Sequence, residues 1–412
     1  MSSDMDPHIL NFHEDLDLPL SAVPGIIRDA LTGRLDDPHE KLDGQNFTFT
    51  VISTIIGPEV RFMGKGCSRW IREMGGLDRD ALIKHYVDKP AVQTTFLGAY
   101  DSLQHAMLSI DRDLIDRVFL SGKAVVRTEV TSPSNPNIIK YRGNAIHLIG
   151  SQLLGSSSDA VHAVEETDAL GHALAALGPI EGWSIGSMPV ARPKHNHDAS
   201  HVIKQLTSEW IDDLGSLTTA TLHRRACVTM GDFIVERMKG RMRAFSLGGF
   251  APTFLHDAAR RIVFDDPSIL PVRKMPTGMW QLLKPLDDER AMHVGEAIID
   301  VERFFSRLGN AAIDAYDLNT SNIDDTEHIR AVHDRVIDTK HALVEGRITA
   351  APNVLTRMQS AANRCDESLF SRNAEGIVFR RAGKLRKLVG GFTPVNRLLG
   401  YTSFGNQARV VE

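Results

Sequence analysis

Apolar residues recur along the chain with two different spacings, and each spacing predicts a different kind of element. Short apolar or alternating runs predict strands, at residues 47–56, 60–63, 124–130, 138–141, 145–150 and 183–190. Apolar residues three and four apart predict helices, at residues 21–31, 78–86, 91–110, 111–120, 156–177, 203–214, 219–245, 279–283, 287–308, 326–345 and 352–364. The pattern indicates an α+β chain with its first strands before residue 154 and a long, mainly helical interval after it.

A second group of strands follows the helical interval. Apolar runs at 377–379 and 385–389 flank Ala382 and Gly383, a pair typical of a tight turn. We therefore expect a β-hairpin near the C-terminal end of the sequence.

Composition bounds the function classes. The 412 residues, 42% of them hydrophobic, are enough for a sizeable core. The net charge of −5 gives no overall basic field, so contact with nucleic acid requires a local patch. The three cysteines are far apart, which favours a reducing compartment. Because no apolar run reaches about 18 residues and no secretion signal is present, we expect a cytoplasmic protein without membrane contact.

The segment Glu40-Lys41-Leu42-Asp43-Gly44 is the first candidate for chemistry, and an alternating run follows it. A lysine amine is nucleophilic only when neutral, so a reactive lysine must be desolvated or placed beside other positive charge. The alternative is structural, because Asp-Gly before an alternating run is also a common hairpin turn.

A second motif lies in the C-terminal hairpin. Glu375 precedes its first strand, and the returning strand carries Lys384 and Lys387. A glutamate at a strand start can bind a metal or a ribose hydroxyl, and lysines on the next strand can reach phosphates. Residues three apart on a strand lie on opposite faces, so only one lysine can face Lys41. We expect Lys387 to be that residue, because Lys384 lies at the turn.

Together, the two motifs resemble the signature of the covalent nucleotidyltransferases, which include ATP-dependent DNA and RNA ligases and mRNA capping enzymes. The resemblance implies that Lys41 attacks the α-phosphate of ATP, and that Glu129 and Glu375 bind Mg²⁺ or the ribose. It assigns nucleotide binding to Glu40, Asp43, Gly44, Arg61, Lys65, Glu129, His147, Glu375, Lys384 and Lys387. The family stacks an aromatic residue on the base, whereas this chain offers only Tyr141 and His147 there.

The resemblance also implies a fold with two antiparallel sheets around a nucleotide cleft. The motifs stop between residues 155 and 373. We therefore expect 1–154 and 374–412 to form the nucleotidyltransferase domain, and 155–373 to be a separately packed, mainly helical insertion. Too few residues follow Gly391 for the C-terminal OB-fold of DNA ligases and capping enzymes. Phage-encoded RNA-ligase-like proteins are the nearer comparison, and for these the host cytoplasm is the expected location.

Two polar clusters lie within the helical interval. The first is basic and occupies one predicted helix: Arg237, Lys239, Arg241 and Arg243. It is either a solvated helix face or a contact with nucleic-acid phosphates. The second cluster is His195, His197 and His201, for which a solvated loop is preferred over a metal site because no cysteine joins it.

The expected activity is ATP-dependent ligation of RNA or of a nicked duplex through a lysyl-AMP intermediate, with Mg²⁺. Two alternatives stay open. Guanylyl transfer of the capping type would use the same lysine, although capping enzymes carry the OB-fold that is not expected here. A catalytically silent binding or virion-associated protein of ligase fold is the other, and the weak middle motifs and the large insertion favour it.

Overall fold

The computed structural model describes residues 9–64, 69–154, 164–195, 198–214, 228–318, 326–366, 374–403 and 408–410. Within these ranges the chain combines antiparallel-rich sheets with many helices. This arrangement confirms the α+β class predicted from the sequence.

The strands, in chain order, are β1 (Leu10–Asn11), β2 (Asp36–Lys41), β3 (Gln45–Thr54), β4 (Gly57–Gly64), β5 (Ala124–Thr131), β6 (Asn144–Leu153), β7 (Trp183–Ser187), β8 (Arg192–Pro193), β9 (Tyr316–Asp317), β10 (Ile348–Ala350), β11 (Gly376–Arg381), β12 (Lys384–Val389) and β13 (Ala408–Val410). The α-helices are α1 (Val23–Leu31), α2 (Arg69–Glu73), α3 (Arg79–His85), α4 (Pro90–Met107), α5 (Arg112–Phe119), α6 (Val164–Ala176), α7 (Ser200–Glu209), α8 (Met230–Met242), α9 (Pro252–Phe264), α10 (Thr277–Asp288), α11 (Arg290–Ala297), α12 (Ile299–Ala315), α13 (Thr326–Val344), α14 (Pro352–Arg364) and α15 (Phe392–Ser403). Among the described helices, none combines the length and apolar character that crossing a membrane requires.

Two main sheets organise these strands. The first has four strands in the order β1-β12-β11-β2, antiparallel except for the β1–β12 pair. The second has five strands in the order β4-β3-β5-β6-β7, antiparallel except for the β6–β7 pair. The strand pairs β8–β9 and β10–β13 form two small additional sheets.

Each main sheet buries one face under helices. In the first sheet, Ile377, Phe379 and Leu388 pack into a core shared with α1, α7, α8 and α12. In the second, Phe47 and Phe49 pack against α3, α4 and α5. Burying one such side chain contributes roughly 2 kcal/mol. Because strand residues alternate in direction, the other faces of the two sheets are left to line a common cleft.

A third core lies beside the segment that follows β2. Helices α13, α14 and α15 pack there together with Leu42, Ile138, Ile139 and Tyr141. Because Leu42 directly follows Lys41, this core fixes the chain at the end of β2.

The predicted boundaries at residues 154 and 373 do not separate packed units. Two elements of the interval 155–373 belong to the second sheet: strand β7 extends it, and helix α6 covers it. In the first core, Phe12 and Ile377 pack together with Phe304 of the same interval. A core built entirely from the interval covers only α8 to α11 among the described residues. The interval does not pack separately because the apolar faces of its helices pack against the two sheets.

Some elements differ from the sequence predictions. Strand β2 is polar and contains Pro38, so its composition does not predict a strand. Residues 138–141 form no strand, because the N–H groups of Ile138 and Ile139 donate to Asp43 instead. Helices α9 and α15 were also absent from the predicted pattern. The hairpin β11–β12 is confirmed, and both turn residues, Ala382 and Gly383, have positive φ, at 49° and 75°.

Candidate active site

The pairing of β2 with β11 brings the two sequence motifs together. Lys41 is the last residue of β2 and lies opposite Gly376, the first residue of β11. Glu375 immediately precedes Gly376, and its Oε2 accepts a hydrogen bond from Lys41 Nζ at 3.0 Å. The register of one strand pair therefore joins residues that are 334 positions apart.

Glu129 reaches Lys41 from the facing sheet. Its Oε1 lies 3.7 Å from Lys41 Nζ and accepts the N–H of Gly44 at 3.1 Å. Burial lowers the pKa of Lys41, but the carboxylates of Glu129 and Glu375 outweigh this effect and raise the pKa above its ordinary value. Burial raises the pKa of Glu129. In this arrangement Lys41 is an ammonium held between two buried carboxylates.

Asp43 shapes the turn that follows Lys41. Its Oδ2 accepts the N–H groups of Ile138 and Ile139, at 2.6 and 2.7 Å, and its own N–H donates to the Tyr141 hydroxyl. Burial raises the pKa of Asp43 to about 7, with a further increase from the Glu375 carboxylate. Asp43 therefore organises the loop beneath the cleft and does not line the cleft itself.

Both motif glycines are required by close backbone approach. A Cβ at Gly44 would lie 2.6 Å from the Val130 carbonyl oxygen and 2.9 Å from Cγ of Glu129. A Cβ at Gly376 would overlap the Leu388 carbonyl and lie 2.8 Å from Val389 Cα. Neither position tolerates a side chain without moving the strand that carries a candidate site residue.

A cleft of about 290 Å³ lies between the sheets, near the lower end of the size range of small-ligand sites. The charged residues that line the cleft are Lys41, Arg127, Glu129, Glu375 and Lys387. Its other walls are Ile9, Leu42, Gly44, Asn46, Ile149, Met188, Val378, Thr393 and Asn396. The charged set carries three cations and two carboxylates, so the cleft suits an anionic ligand.

The two lysines of β12 lie in different environments. Lys387 is buried and lines the cleft, opposite Val378 of β11. Burial lowers the pKa of Lys387, and the nearby Lys41 ammonium lowers it further. Lys384 is exposed at the start of the strand. Glu40 is buried, but strand alternation turns it away from Lys41, and it does not line the cleft.

Two of the remaining nucleotide-binding candidates, Arg61 and His147, do not line the cleft. Arg61 forms ion pairs with Glu59 and Asp78, at 2.7 and 3.5 Å. Lys65 lies outside the described residues. His147 pairs with Glu129 across β5 and β6, and burial lowers its pKa to about 4, so the ring is neutral at neutral pH. Tyr141 lies in the third core. Neither candidate aromatic ring therefore faces the cleft.

The basic stretch of α8 is largely neutralised by acidic residues of the same chain. Its ion pairs are Arg237 with Asp300, Lys239 with Glu236, and Arg241 with Glu296. Arg243, just after α8, is exposed. Cations already paired in this way have less to gain from phosphate, so the geometry favours a solvated, ion-paired helix face over a phosphate contact.

Sequence reasoning missed several residues of the cleft. Arg127 lies two positions before Glu129 on β5, and Asn46 lies directly opposite Glu129 on β3. The alternation of β5 contained the signal for Arg127, since residues two apart share a face. Asn396 lies on α15, and no local pattern connects this helix with β2.

The two metal-ligand candidates that the sequence predicted, Glu129 and Glu375, lie together in the cleft. Within the described ranges, no group of three or more His, Cys, Asp and Glu side chains forms a metal site. His195 and His201 are exposed, and His197 lies outside the described residues.

Comparison of the chain with protein-family models, curated proteins and solved structures finds no match.

Proposed function

We propose that the chain is an ATP-dependent nucleotidyltransferase of the polynucleotide-ligase type, with Lys41 as the covalent nucleophile. The observation that carries the proposal is the convergence of Lys41, Glu129, Glu375 and Lys387 on one cleft between two sheets. These residues come from the sequence segments that resemble the ligase signature. A structural role for the Asp-Gly turn alone does not account for three further charged residues around Lys41.

In the proposed first step, the neutral amine of Lys41 attacks the α-phosphorus of ATP. A nitrogen–phosphorus bond forms, the bond to the bridging oxygen breaks, and pyrophosphate leaves with the electron pair. Glu375, whose Oε2 lies 3.0 Å from Lys41 Nζ, is in position to accept the ammonium proton. Lys387 and Arg127 offset the negative charge of the phosphates in the transition state, because electrostatic stabilisation has its largest effect there.

Glu129 and Glu375 are the proposed Mg²⁺ ligands. Two carboxylates facing a polar cleft suit this ion, which usually takes one or two protein carboxylates and completes its shell with water and substrate phosphates. Mg²⁺ would supply positive charge to the phosphates and to both carboxylates. Carboxylates that shared their charge in this way would stabilise the Lys41 ammonium less, which would lower the pKa of Lys41.

The apolar residues of the cleft are the proposed contacts for the base. Ile149, Met188 and Val378 line it, and a methionine sulfur makes favourable contacts with aromatic rings. The adenylate would then pass to a 5′-phosphate of RNA or of a nicked duplex. A 3′-hydroxyl would displace AMP and complete the ligation.

The test is incubation with α-labelled ATP or α-labelled GTP and Mg²⁺, followed by a denaturing gel. We expect label from ATP on the wild-type chain and none on Lys41→Arg. That variant keeps a cation between the carboxylates, but a guanidinium is not deprotonated in proteins. Lys384→Arg, at an exposed position outside the cleft, is the matched control and should keep the label.

Each other outcome has a definite meaning. Label from GTP alone would identify the guanylyl-transfer alternative. Absence of label from both nucleotides would contradict the proposal and favour a catalytically silent binding protein.

A further inference from the structure

A second cavity, of about 580 Å³, lies on the helical side of the molecule. It is enclosed by α14, α15 and the junction between α10 and α11. Four arginines stand in its wall: Arg290, Arg357, Arg364 and Arg397. A cavity of this size with several guanidinium groups is a candidate anion site.

Most of the charges in this cavity are already paired. The ion pairs are Arg357 with Glu289, Arg364 with Glu302, Arg290 with Asp265, Arg261 with Asp287 and Lys284 with Asp288. Arg397 differs, because it has no ion-pair partner in the part of the chain that the structure describes and the residue is exposed. Arg397 is therefore the arginine of this cavity wall without a direct ion pair among the described residues, although the carboxylates of Glu302 and Glu14 lie near enough to raise its pKa.

Two observations indicate that the wall around Arg397 is a preformed site. A Cβ at Gly295 would lie 2.6 Å from Arg364 Nη1, so the glycine leaves the space that the guanidinium occupies. Ser360 is buried in the same wall, and its Oγ has no hydrogen-bond partner among the described residues. Partial desolvation and the Arg364 guanidinium lower the pKa of Arg397, so an anion between the two arginines would relieve their repulsion.

Helix α15 connects this cavity with the Lys41 cleft. Thr393 lines the cleft and also a small neighbouring cavity, whose wall includes Arg364 and Arg397. Arg397 in turn lines the arginine cavity, together with Tyr401. Residues 393, 397 and 401 are four apart and share one face of the helix, over a length of about 12 Å. We refer to this row of three cavities, which share lining residues along α15, as the trough; Glu14, Glu302 and Asp366 also line its middle part.

We propose that this trough binds a nucleic-acid strand, with Arg397 binding one of its phosphates and the strand end reaching the Lys41 cleft. The proposal rests on the proposed function, because it supplies the acceptor for the adenylate. An isolated anion would need only the arginine cavity, whereas a strand can contact the whole row of cavities along α15. Tyr401 offers a ring on which a base can stack at the far end.

The test is binding of a labelled, 5′-phosphorylated single-stranded RNA, measured by fluorescence anisotropy over a range of salt concentrations. We expect Arg397→Ala to weaken binding by about tenfold or more and to reduce the salt slope by about one. The loss of an unpaired, exposed arginine should leave the fold intact. Arg112→Ala, an exposed arginine on α5, is the matched control and should bind as the wild type does.

Three further arms separate the possible outcomes. Equal loss for a 5′-hydroxyl strand supports a backbone phosphate contact, and loss confined to the 5′-phosphorylated strand supports a terminal one. Weaker binding of pyrophosphate with unchanged binding of RNA would overturn the strand proposal, as would unchanged RNA binding by Arg397→Ala. If the wild type binds RNA through Arg397 but takes no label on Lys41, the proposed function fails and the strand site stands.

Discussion

Replacement of Lys41 by methionine should destabilise the fold through the two carboxylates left behind. Lys41 Nζ lies 3.0 Å from Glu375 Oε2 and 3.7 Å from Glu129 Oε1, and each glutamate is only 8% exposed. Methionine is close to lysine in length but carries no charge. The variant therefore keeps the packing and removes the cation.

The size of the effect follows from the burial of the site. Removing one partner of a buried ion pair costs about 3–5 kcal/mol of the free energy of unfolding, because the other charge stays buried. The lysine side chain is 15% exposed at the edge of the cleft, so water screens part of the interaction. We therefore expect a loss of about 3 kcal/mol at mildly alkaline pH, at the lower end of this range.

The loss should depend on pH with a defined sign. Burial already raises the pKa of Glu129, and removal of Lys41 would raise that pKa further. A carboxyl whose pKa is higher in the folded state binds more protons when folded, so its contribution to stability falls as pH rises from about 4.3 through the folded-state pKa. The deficit of Lys41→Met should accordingly be smaller at acidic pH.

Urea denaturation at about pH 5 and about pH 8 measures this difference. Lys41→Arg, which keeps a cation between the carboxylates, is the control and should lose much less stability at about pH 8. The reasoning is refuted if Lys41→Met is as stable as the wild type at about pH 8, or if its deficit is the same at both pH values.

Three further substitutions test the surroundings of the site by urea denaturation. Gly44→Ala brings a Cβ to 2.6 Å from the Val130 carbonyl and should cost about 1–3 kcal/mol. Gly143→Ala, with open space around the position, should cost less than about 1 kcal/mol, and equal losses would contradict the steric argument. Because burial raises the pKa of Asp43 to about 7, Asp43→Asn should remove a decline in stability between about pH 4 and that pKa; parallel pH curves would count against it. Arg386 is buried and forms an ion pair with Asp15, so Arg386→Met leaves Asp15 without its cation and should cost about 3 kcal/mol of the free energy of unfolding. Adding Asp15→Asn should largely recover this loss, and no recovery would argue against the pair.

Local sequence predicted the parts of the site that depend on local geometry. The hairpin β11–β12 follows from two apolar runs around Ala382-Gly383, and the opposite placement of Lys384 and Lys387 follows from strand alternation. The motif resemblance gave Lys41 and Glu375 as neighbours. Their meeting requires the pairing of β2 with β11, and β2 is too polar to be predicted as a strand.

The other differences arise from tertiary packing. The interval 155–373 lacks motifs, which predicted a separate domain, but its helices cover both sheets because their apolar faces need a partner. The sequence left the basic residues of α8 as candidates for phosphate contact, because their ion-pair partners Asp300 and Glu296 lie far along the chain. Arg397 had no distinguishing sequence signal, because its position depends on how α14 and α15 enclose a cavity.

The most direct test of the central claim is to locate the covalent nucleotide. The wild-type chain is incubated with ATP and Mg²⁺ and digested, and the peptide that contains Lys41 is examined by mass spectrometry. We expect an AMP adduct on Lys41 Nζ in the wild-type chain and none on the corresponding peptide of Lys41→Arg. Absence of an adduct, or an adduct on Lys387 or another residue with Lys41 unmodified, would contradict the assignment of Lys41 as the nucleophile.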